Sequence, residues 1–376
     1  MAARCPHRPP CPGCPRFGEA TLAPSALARL ARLAAAAGLA PPEVASGPRF
    51  GYRLRARLMV RGRTGSPKVG LFQAGSHRIA DIPECLVHHP LVNRVAAAVR
   101  AGIRASGVRP YAERPHAGEL RAIQVVVERA SQSAQLVLVA STREPAPLMG
   151  LAETLRKELG SELHSLFWNG NPERTNVILG PLWQCLAGPE AVRESIGGAL
   201  VFFPPGAFGQ ANLALADRIV ARIHDLVPPE ARVVELYAGC GPIGLGLLAR
   251  SRALAFVESS SEAVRGLRMG LAERPPEERA RALVLSGDAG AAADLLPEAE
   301  IVIADPPRSG IDEAALAALC AAPPRRLVYL SCGLDSFEVQ SARLLAGGRL
   351  RLTELAAYDL FPNTEHVETL ACFERR

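Results

Sequence analysis

The sequence predicts an α/β protein of two domains, with a mostly parallel sheet in residues 204–376 and a separate α+β domain in residues 1–203. Three observations carry the prediction. From about Pro204 to the end, short β-rich runs alternate with Ala/Leu-rich amphipathic runs, the pattern of a parallel sheet covered on both faces. A basic, strictly alternating segment near residue 55 reads as a strand of a different kind. The chain also opens on a Cys/Pro cluster that neither periodicity explains. With 376 residues, 48% of them apolar, there is material for two ordinary cores.

In the second domain the strand candidates are Arg232–Leu236, Ala253–Glu258, Ala282–Ser286, Glu300–Ala304, Arg326–Ser331, Arg349–Leu355 and Val367–Phe373. The last two are joined by a loop, D-L-F-P-N-T-E-H, with no helix between them, which predicts an antiparallel edge hairpin. Seven strands ending this way are similar to the Rossmann-like fold of class I S-adenosylmethionine-dependent methyltransferases rather than to a dehydrogenase.

The first domain reads as a helix over Ser25–Ala37 followed by a basic hairpin. Arg53, Arg55 and Arg57 alternate with Leu54, Ala56 and Leu58, giving one basic and one apolar face. Arg61, Arg63 and Lys68 flank the turn T-G-S-P, and V-G-L-F returns as the second strand. A row of like charges repels itself, so a polyanion such as RNA or DNA phosphate is its natural counterpart, a solvated sheet face being the alternative. Whole-chain charge hides this. Lys+Arg number 43 against 37 Asp+Glu, a net of +6, but residues 1–100 hold 15 basic against 4 acidic groups and the remainder 28 against 33. A GC-rich genome explains why nearly all the cations are Arg, not why they cluster.

Nine cysteines in a chain of this length do not describe a disulfide-stapled mini-domain, and the N-terminus has no apolar stretch for export, so a reducing cytoplasm is expected. Leu27–Ala40 is interrupted by Arg29 and Arg32 and falls short of the ~20 residues of a membrane span.

V-V-E-L-Y-A-G-C-G-P-I-G is a strand, a Gly-rich turn and a helix start. Gly239 and Gly241 let the backbone approach a ligand closely. Glu258, ending the next strand, can accept hydrogen bonds from ribose hydroxyls, and Asp288, after the third, is placed to meet an adenine amino group. This much also fits NAD. The fourth strand ends in D-P-P-R-S-G. Arg308 stands where amino-group methyltransferases usually carry a stacking aromatic, which disfavours an exocyclic amine target. Cys332 follows the fifth strand, where parallel-sheet enzymes place reacting groups, and Glu368 opens the last strand.

Together F-x-Q-x-N (Phe208, Gln210, Asn212), L-Y-A-G-C-G, D-P-P-R-S-G, S-C in the fifth strand and D-x-F-P-x-T-x-H-V-E (Asp359 to Glu368) resemble the bacterial RNA (uracil-5-)-methyltransferases. The resemblance implies that Cys332 is the nucleophile and Glu368 the general base. It implies that Gln210, Tyr237, Glu258 and Asp305 contact S-adenosylmethionine, with Asp305 also positioning the base. One departure stands out: the family usually has Asn after the nucleophile, and this chain has Gly333, which leaves a catalytically impaired RNA-binding paralogue as an alternative to an active enzyme.

Cys5, Cys11 and Cys14, with Cys85 distant in D-I-P-E-C, give three close thiols and a remote fourth, enough for a tetrahedral zinc or a cubane. His7, His88 or His89 could join a zinc. Resemblance to the ribosomal branch of the family implies a [4Fe-4S] cluster on the four cysteines and 23S ribosomal RNA as substrate, with transfer RNA the alternative. The family's larger members begin with a β-barrel RNA-binding domain, for which there is no room before Cys5. Neither a membrane nor an obligate protein partner is implied.

Overall fold

A computed structural model describes residues 4–19 and 22–376. In chain order the elements are α1 (Pro24–Ala36), β1 (Val44–Ala45), β2 (Arg55–Arg63), β3 (Ser66–Phe72), β4 (Ile79–Asp81), α2 (Pro90–Ser106), β5 (Leu120–Glu128), β6 (Ser133–Ala140), α3 (Met149–Leu159), β7 (Leu163–Gly170), β8 (Leu182–Ala187), β9 (Val192–Ile196) and β10 (Ala199–Phe203). Then come α4 (Leu213–Leu226), β11 (Arg232–Leu236), β12 (Ala253–Glu258), α5 (Ser261–Ala272), α6 (Pro276–Arg279), β13 (Ala282–Ser286), β14 (Ile301–Ala304), α7 (Glu313–Ala321), β15 (Arg326–Ser331), α8 (Leu334–Ala346), β16 (Leu350–Tyr358) and β17 (Glu368–Arg375).

The chain divides into two compact units, residues 1–18 with 48–194, and residues 19–47 with 195–376. The sequence reading placed everything before residue 204 in one domain. Residues 19–47 fold with the second unit instead, because α1 buries Ala26, Leu30 and Ala34 in that unit's core and its Arg29 pairs with Asp335 and Glu338 of α8. Helical periodicity shows that α1 has an apolar face, but not which core receives it.

The first unit is a seven-stranded sheet in the order β4-β3-β2-β5-β6-β7-β8. Its pairs are antiparallel except β6 with β7, where α3 makes the crossover. The basic hairpin forms, with a turn at Thr64-Gly65 that is tighter than the four residues read from the sequence.

The second unit holds an eight-stranded sheet, β1-β16-β17-β15-β14-β11-β12-β13. The seven predicted strands are present, within one residue at all but the far ends of β16 and β17, and the last two pair antiparallel. The eighth, β1, lies parallel on the edge of β16, and β17 inserts between β15 and β16. Chain order reverses between β11 and β14, so the crevice outside the carboxyl ends of these strands is the topological switch point where open α/β sheets bind ligands. Among the described residues no helix is long and apolar enough to cross a membrane.

Candidate active site

Strands β15 and β17 pair antiparallel up to Ser331 opposite Thr369. Continuing that register one residue puts Cys332 opposite Glu368. Alternation of side chains sends both to the same face, at the cross-strand spacing of about 5 Å between Cβ atoms. The Glu368 carboxyl is buried, and its Oε1 has no hydrogen-bond partner. Burial, then the neighbouring Asp305, hold it well above the ordinary carboxylate range, while Arg308 pulls the other way. The same groups act on Cys332: burial first, then Glu368 and Asp305, push the thiol up to about 11, and Arg308 opposes them. Desolvation pushes Asp305 itself up to about 7. The structure thus gathers Cys332, Glu368, Asp305 and Arg308 into one electrostatic unit, with Arg308 also donating to a ring nitrogen of His366 (2.9 Å).

The loop carrying Asp305 and Arg308 is pinned to α8. The Ser336 hydroxyl donates to the Arg308 carbonyl oxygen (2.8 Å) and lies 2.9 Å from that of Gly333. Gln340 accepts from the Ile311 N–H (2.9 Å) and the Tyr329 hydroxyl (2.7 Å), and donates to the Ile311 carbonyl (2.7 Å). At Gly333 a Cβ would be driven into the Arg308 carbonyl oxygen and would crowd the Ser336 hydroxyl at 2.9 Å. Gly333 is therefore matched to a loop that closes on it, and an Asn has no place there without moving Arg308.

On the cofactor side, the turn after β11 has positive φ at Tyr237 (60°), Gly239 (57°) and Gly241 (80°), the left-handed region that glycine enters without strain. A Cβ on Gly239 would face open space, leaving room for a ligand. The Glu258 carboxylate accepts from the N–H groups of Gly239 (2.8 Å) and Ser260 (2.7 Å), which fixes it at the mouth of this turn with lone pairs to spare. Asp288 lies at the start of the turn after β13, its Oδ1 accepting from the Ala291 N–H (3.1 Å). The Tyr237 hydroxyl donates to Asp312 Oδ2 (2.8 Å) and accepts from the Asp312 N–H (2.8 Å), so it anchors the start of α7. Gln210 lies half-buried in the loop before α4 and makes no side-chain hydrogen bond among the described residues. The sequence reading missed Glu235, a buried carboxyl on β11 whose Oε2 lacks a partner and which burial, then Asp305, pushes well up. A charge inside V-V-E-L was the signal.

In the first unit Cys5, Cys11, Cys14 and Cys85 line one cavity of about 170 Å³, together with Arg53 and Arg57. Burial, and the other thiols' charges, push Cys14 up to about 11, while Arg53 lowers it. Backbone N–H groups donate to the sulfurs of Cys11 and Cys85. Among the described residues, no three His, Cys, Asp or Glu side chains converge tightly enough to hold one metal ion. The basic strand keeps Arg57, Arg63 and Lys68 exposed and Arg53 and Arg55 half-buried. Arg53 and Arg57 turn to the thiol cavity, Arg57 also donating to Gln124 (2.7 Å), and Arg61 is spent on Glu113 (2.9 Å), two carbonyls and the rings of Phe72 and Tyr111. Alternation shows which residues share a face, but not whether that face is wet.

The profile of the tRNA (uracil-5-)-methyltransferase family matches residues 296–376, the stretch holding Asp305, Cys332 and Glu368. An uncharacterized RNA methyltransferase of Protochlamydia amoebophila is 34% identical over 383 aligned positions, covering 100% of this chain and 98% of its own length. Another, of Gloeobacter violaceus, is 33% identical over 89% of this chain and 72% of its own. Among solved structures, the Pyrococcus abyssi tRNA (uracil-54, C5)-methyltransferase in complex with S-adenosyl-L-homocysteine superposes with a TM-score of 0.78 at 23% identity, over 98% of this chain and 86% of that one. The two units thus carry a methyltransferase fold from end to end, and the chain belongs to the RNA methyltransferases.

Proposed function

We propose that the protein methylates C5 of a uridine in RNA, with S-adenosylmethionine as methyl donor, acting in the cytoplasm on 23S ribosomal RNA. The reading rests on a half-buried thiol, Cys332, and a buried carboxyl, Glu368, set one step beyond the last register pair of β15 and β17. Uracil C5 is too weak a nucleophile to attack a methyl sulfonium unaided. Addition of the Cys332 thiolate at C6 places an electron pair on C5 as an enolate, and C5 takes the methyl group. The C5 proton must then leave. Glu368, with a free Oε1 and a raised proton affinity, accepts it, and elimination returns the thiolate and restores the 5,6 double bond. Arg308 is the cation that offsets the negative charge gathered here. The target base must leave its stack to reach Cys332, which costs least in a loop or bulge.

Bound S-adenosylmethionine supplies the electrophilic methyl. The open turn at Gly239 and the oriented Glu258 carboxylate suit its ribose, and Gln210, Tyr237, Asp288 and Asp305 complete the proposed contacts. Tyr237 would contribute its ring face, since Asp312 occupies its hydroxyl.

Cys5, Cys11, Cys14 and Cys85 are proposed to hold a [4Fe-4S] cluster. They line one cavity, receive backbone N–H donors at Cys11 and Cys85 and sit beside Arg53, a setting suited to an anionic thiolate assembly, with a tetrahedral zinc the rival. The cluster would have a structural part only, with four thiolates and no open iron position. The ribosomal substrate rests on this cysteine set. Transfer RNA is the second reading, favoured by the matched family's description.

The test is methyl transfer by the purified protein to unmodified 23S and transfer RNA transcripts, with nucleoside analysis of each product. 5-Methyluridine in 23S RNA is expected. Its appearance in transfer RNA alone would move the substrate, and a methylated amine with unchanged uridine would overturn the reaction.

A further inference from the structure

The catalytic groups occupy the carboxyl end of the parallel strands, and the opposite end of the same sheet gathers arginines. Arg349 precedes β16, Arg375 ends β17, and Arg376 follows it. These three line a cavity of about 350 Å³ walled by Pro297, Ala321 and Pro323. Arg325 adjoins them, its carbonyl accepting from the Arg375 N–H (3.0 Å), and the Arg376 N–H donates to the Arg349 carbonyl (2.9 Å). The Arg349 guanidinium is anchored on the Ala321 carbonyl (2.5 Å).

This unit normally neutralises its surface arginines. Arg326 and Arg351 share Glu374, Arg343 pairs with Glu313, and Arg222 with Glu354. Around the cavity that pattern stops: no acidic side chain lines it, and among the described residues Arg325, Arg349, Arg375 and Arg376 have no carboxylate partner. Composition does not account for it, because residues 101–376 carry more acidic than basic groups, 33 against 28. Holding like charges together without acids costs Coulomb energy that an anion would recover.

We propose that this pocket takes phosphate groups of the substrate RNA's backbone, a grip remote from the reacting uridine. The six residues of β15 place it roughly 20 Å from Cys332, too far for the reacting base or the methyl donor. Its walls are Pro and Ala with no ring to stack a base, so it reads charge and not sequence. The proposal rests on RNA being the substrate.

The experiment uses the full-length protein, the Arg349→Gln/Arg375→Gln double variant and, as comparator, Arg343→Gln, whose guanidinium is already paired. Filter binding of a structured RNA transcript over a salt series should show a salt slope lower by about 1–2 in the double variant. In the methylation assay KM should rise several-fold with kcat preserved, and melting temperature should hold. Arg343→Gln should match the wild type. An unchanged slope and KM overturn the proposal. So does protection of these arginines from phenylglyoxal by inorganic phosphate but not by RNA, which would mark a small-anion site. Because binding is read without methyl transfer, a reduced slope in a protein that makes no 5-methyluridine would keep this site and reject the uridine reaction instead.

Discussion

Cys332 faces Glu368 across the β15–β17 ladder, one step beyond the last hydrogen-bonded register pair, Ser331 with Thr369. Two groups that act at different moments of the proposed reaction are therefore fixed by one strand pair. Addition at C6 and removal of the C5 proton take place on adjacent ring atoms, so cross-strand spacing suits them.

Separating the two roles is the most direct check. Cys332→Ala should abolish turnover and form no adduct with 5-fluorouridine RNA. Glu368→Gln should slow turnover by about 10²–10⁴ and accumulate a methylated covalent adduct on ordinary RNA, because addition and methyl transfer still proceed while the proton stays. Mass spectrometry of the RNA–protein band reads both, and a Glu368→Gln variant that turns over normally would remove it as the base.

The pH profile has a definite sign. Glu368 works as a carboxylate, and burial and Asp305 raise its proton affinity, so activity is lost as pH falls through a value above the ordinary carboxylate range. The thiol, pushed up to about 11, makes the rate climb on the alkaline side. The expected profile of tritium release from 5-tritiated uridine RNA has an acid limb above the ordinary carboxylate range and keeps climbing toward the thiol's value of about 11, with Asp305→Asn moving the acid limb down by removing a like charge. An acid limb near 4 in the wild type would contradict the buried geometry.

Gly333 should resist substitution. Gly333→Asn must displace the Arg308 carbonyl, and an overpacked contact of this kind costs about 1–3 kcal/mol, to be read by thermal unfolding. Activity should fall further than stability, since Arg308 and Asp305 move with the loop. Ser336→Ala, which deletes a hydroxyl without a clash, should lower kcat less and leave KM for the methyl donor unchanged. A fully active Gly333→Asn would show that the loop is free to shift.

Glu258→Gln should weaken binding of S-adenosylhomocysteine by roughly 10–100-fold, the usual worth of a hydrogen bond to a charged group. Calorimetry measures this without RNA, and an unchanged affinity would dissociate Glu258 from the ribose.

Anaerobically purified protein should be brown and contain iron, and Cys85→Ser should lower the iron content. Stoichiometric zinc in place of iron would exchange the cluster for a single ion.

Most of the sheet was legible because buried parallel strands are written as short apolar runs between helices, and all seven strand starts agree to within one residue. The Gly-rich turn and Glu258 were legible for the same local reason. What escaped depends on distant partners. Alternation puts Arg53 and Arg57 on one face, but that this face borders the cysteines is set by residues 5–14. That Asp288 Oδ1 also caps a turn at Ala291 and that the Tyr237 hydroxyl is held by Asp312 could not be read from local sequence. The fit of Gly333 beside the Arg308 carbonyl depends on a loop 25 residues upstream and has no local sequence signal.

The placement of residues 19–47 with the second unit means that the chain begins that unit, departs for about 150 residues, and returns. The register of β1 with β16, Val44 on Ala357, joins positions made at opposite ends of synthesis. On the ribosome the stretch from 48 to 194 has all its strand partners early, while α1 and β1 must wait, apolar face uncovered, for the last strands to emerge. The edge of the sheet is therefore sealed only once β16 and β17 have been made, and a chain cut short after residue 340 would leave that edge open and lack Glu368.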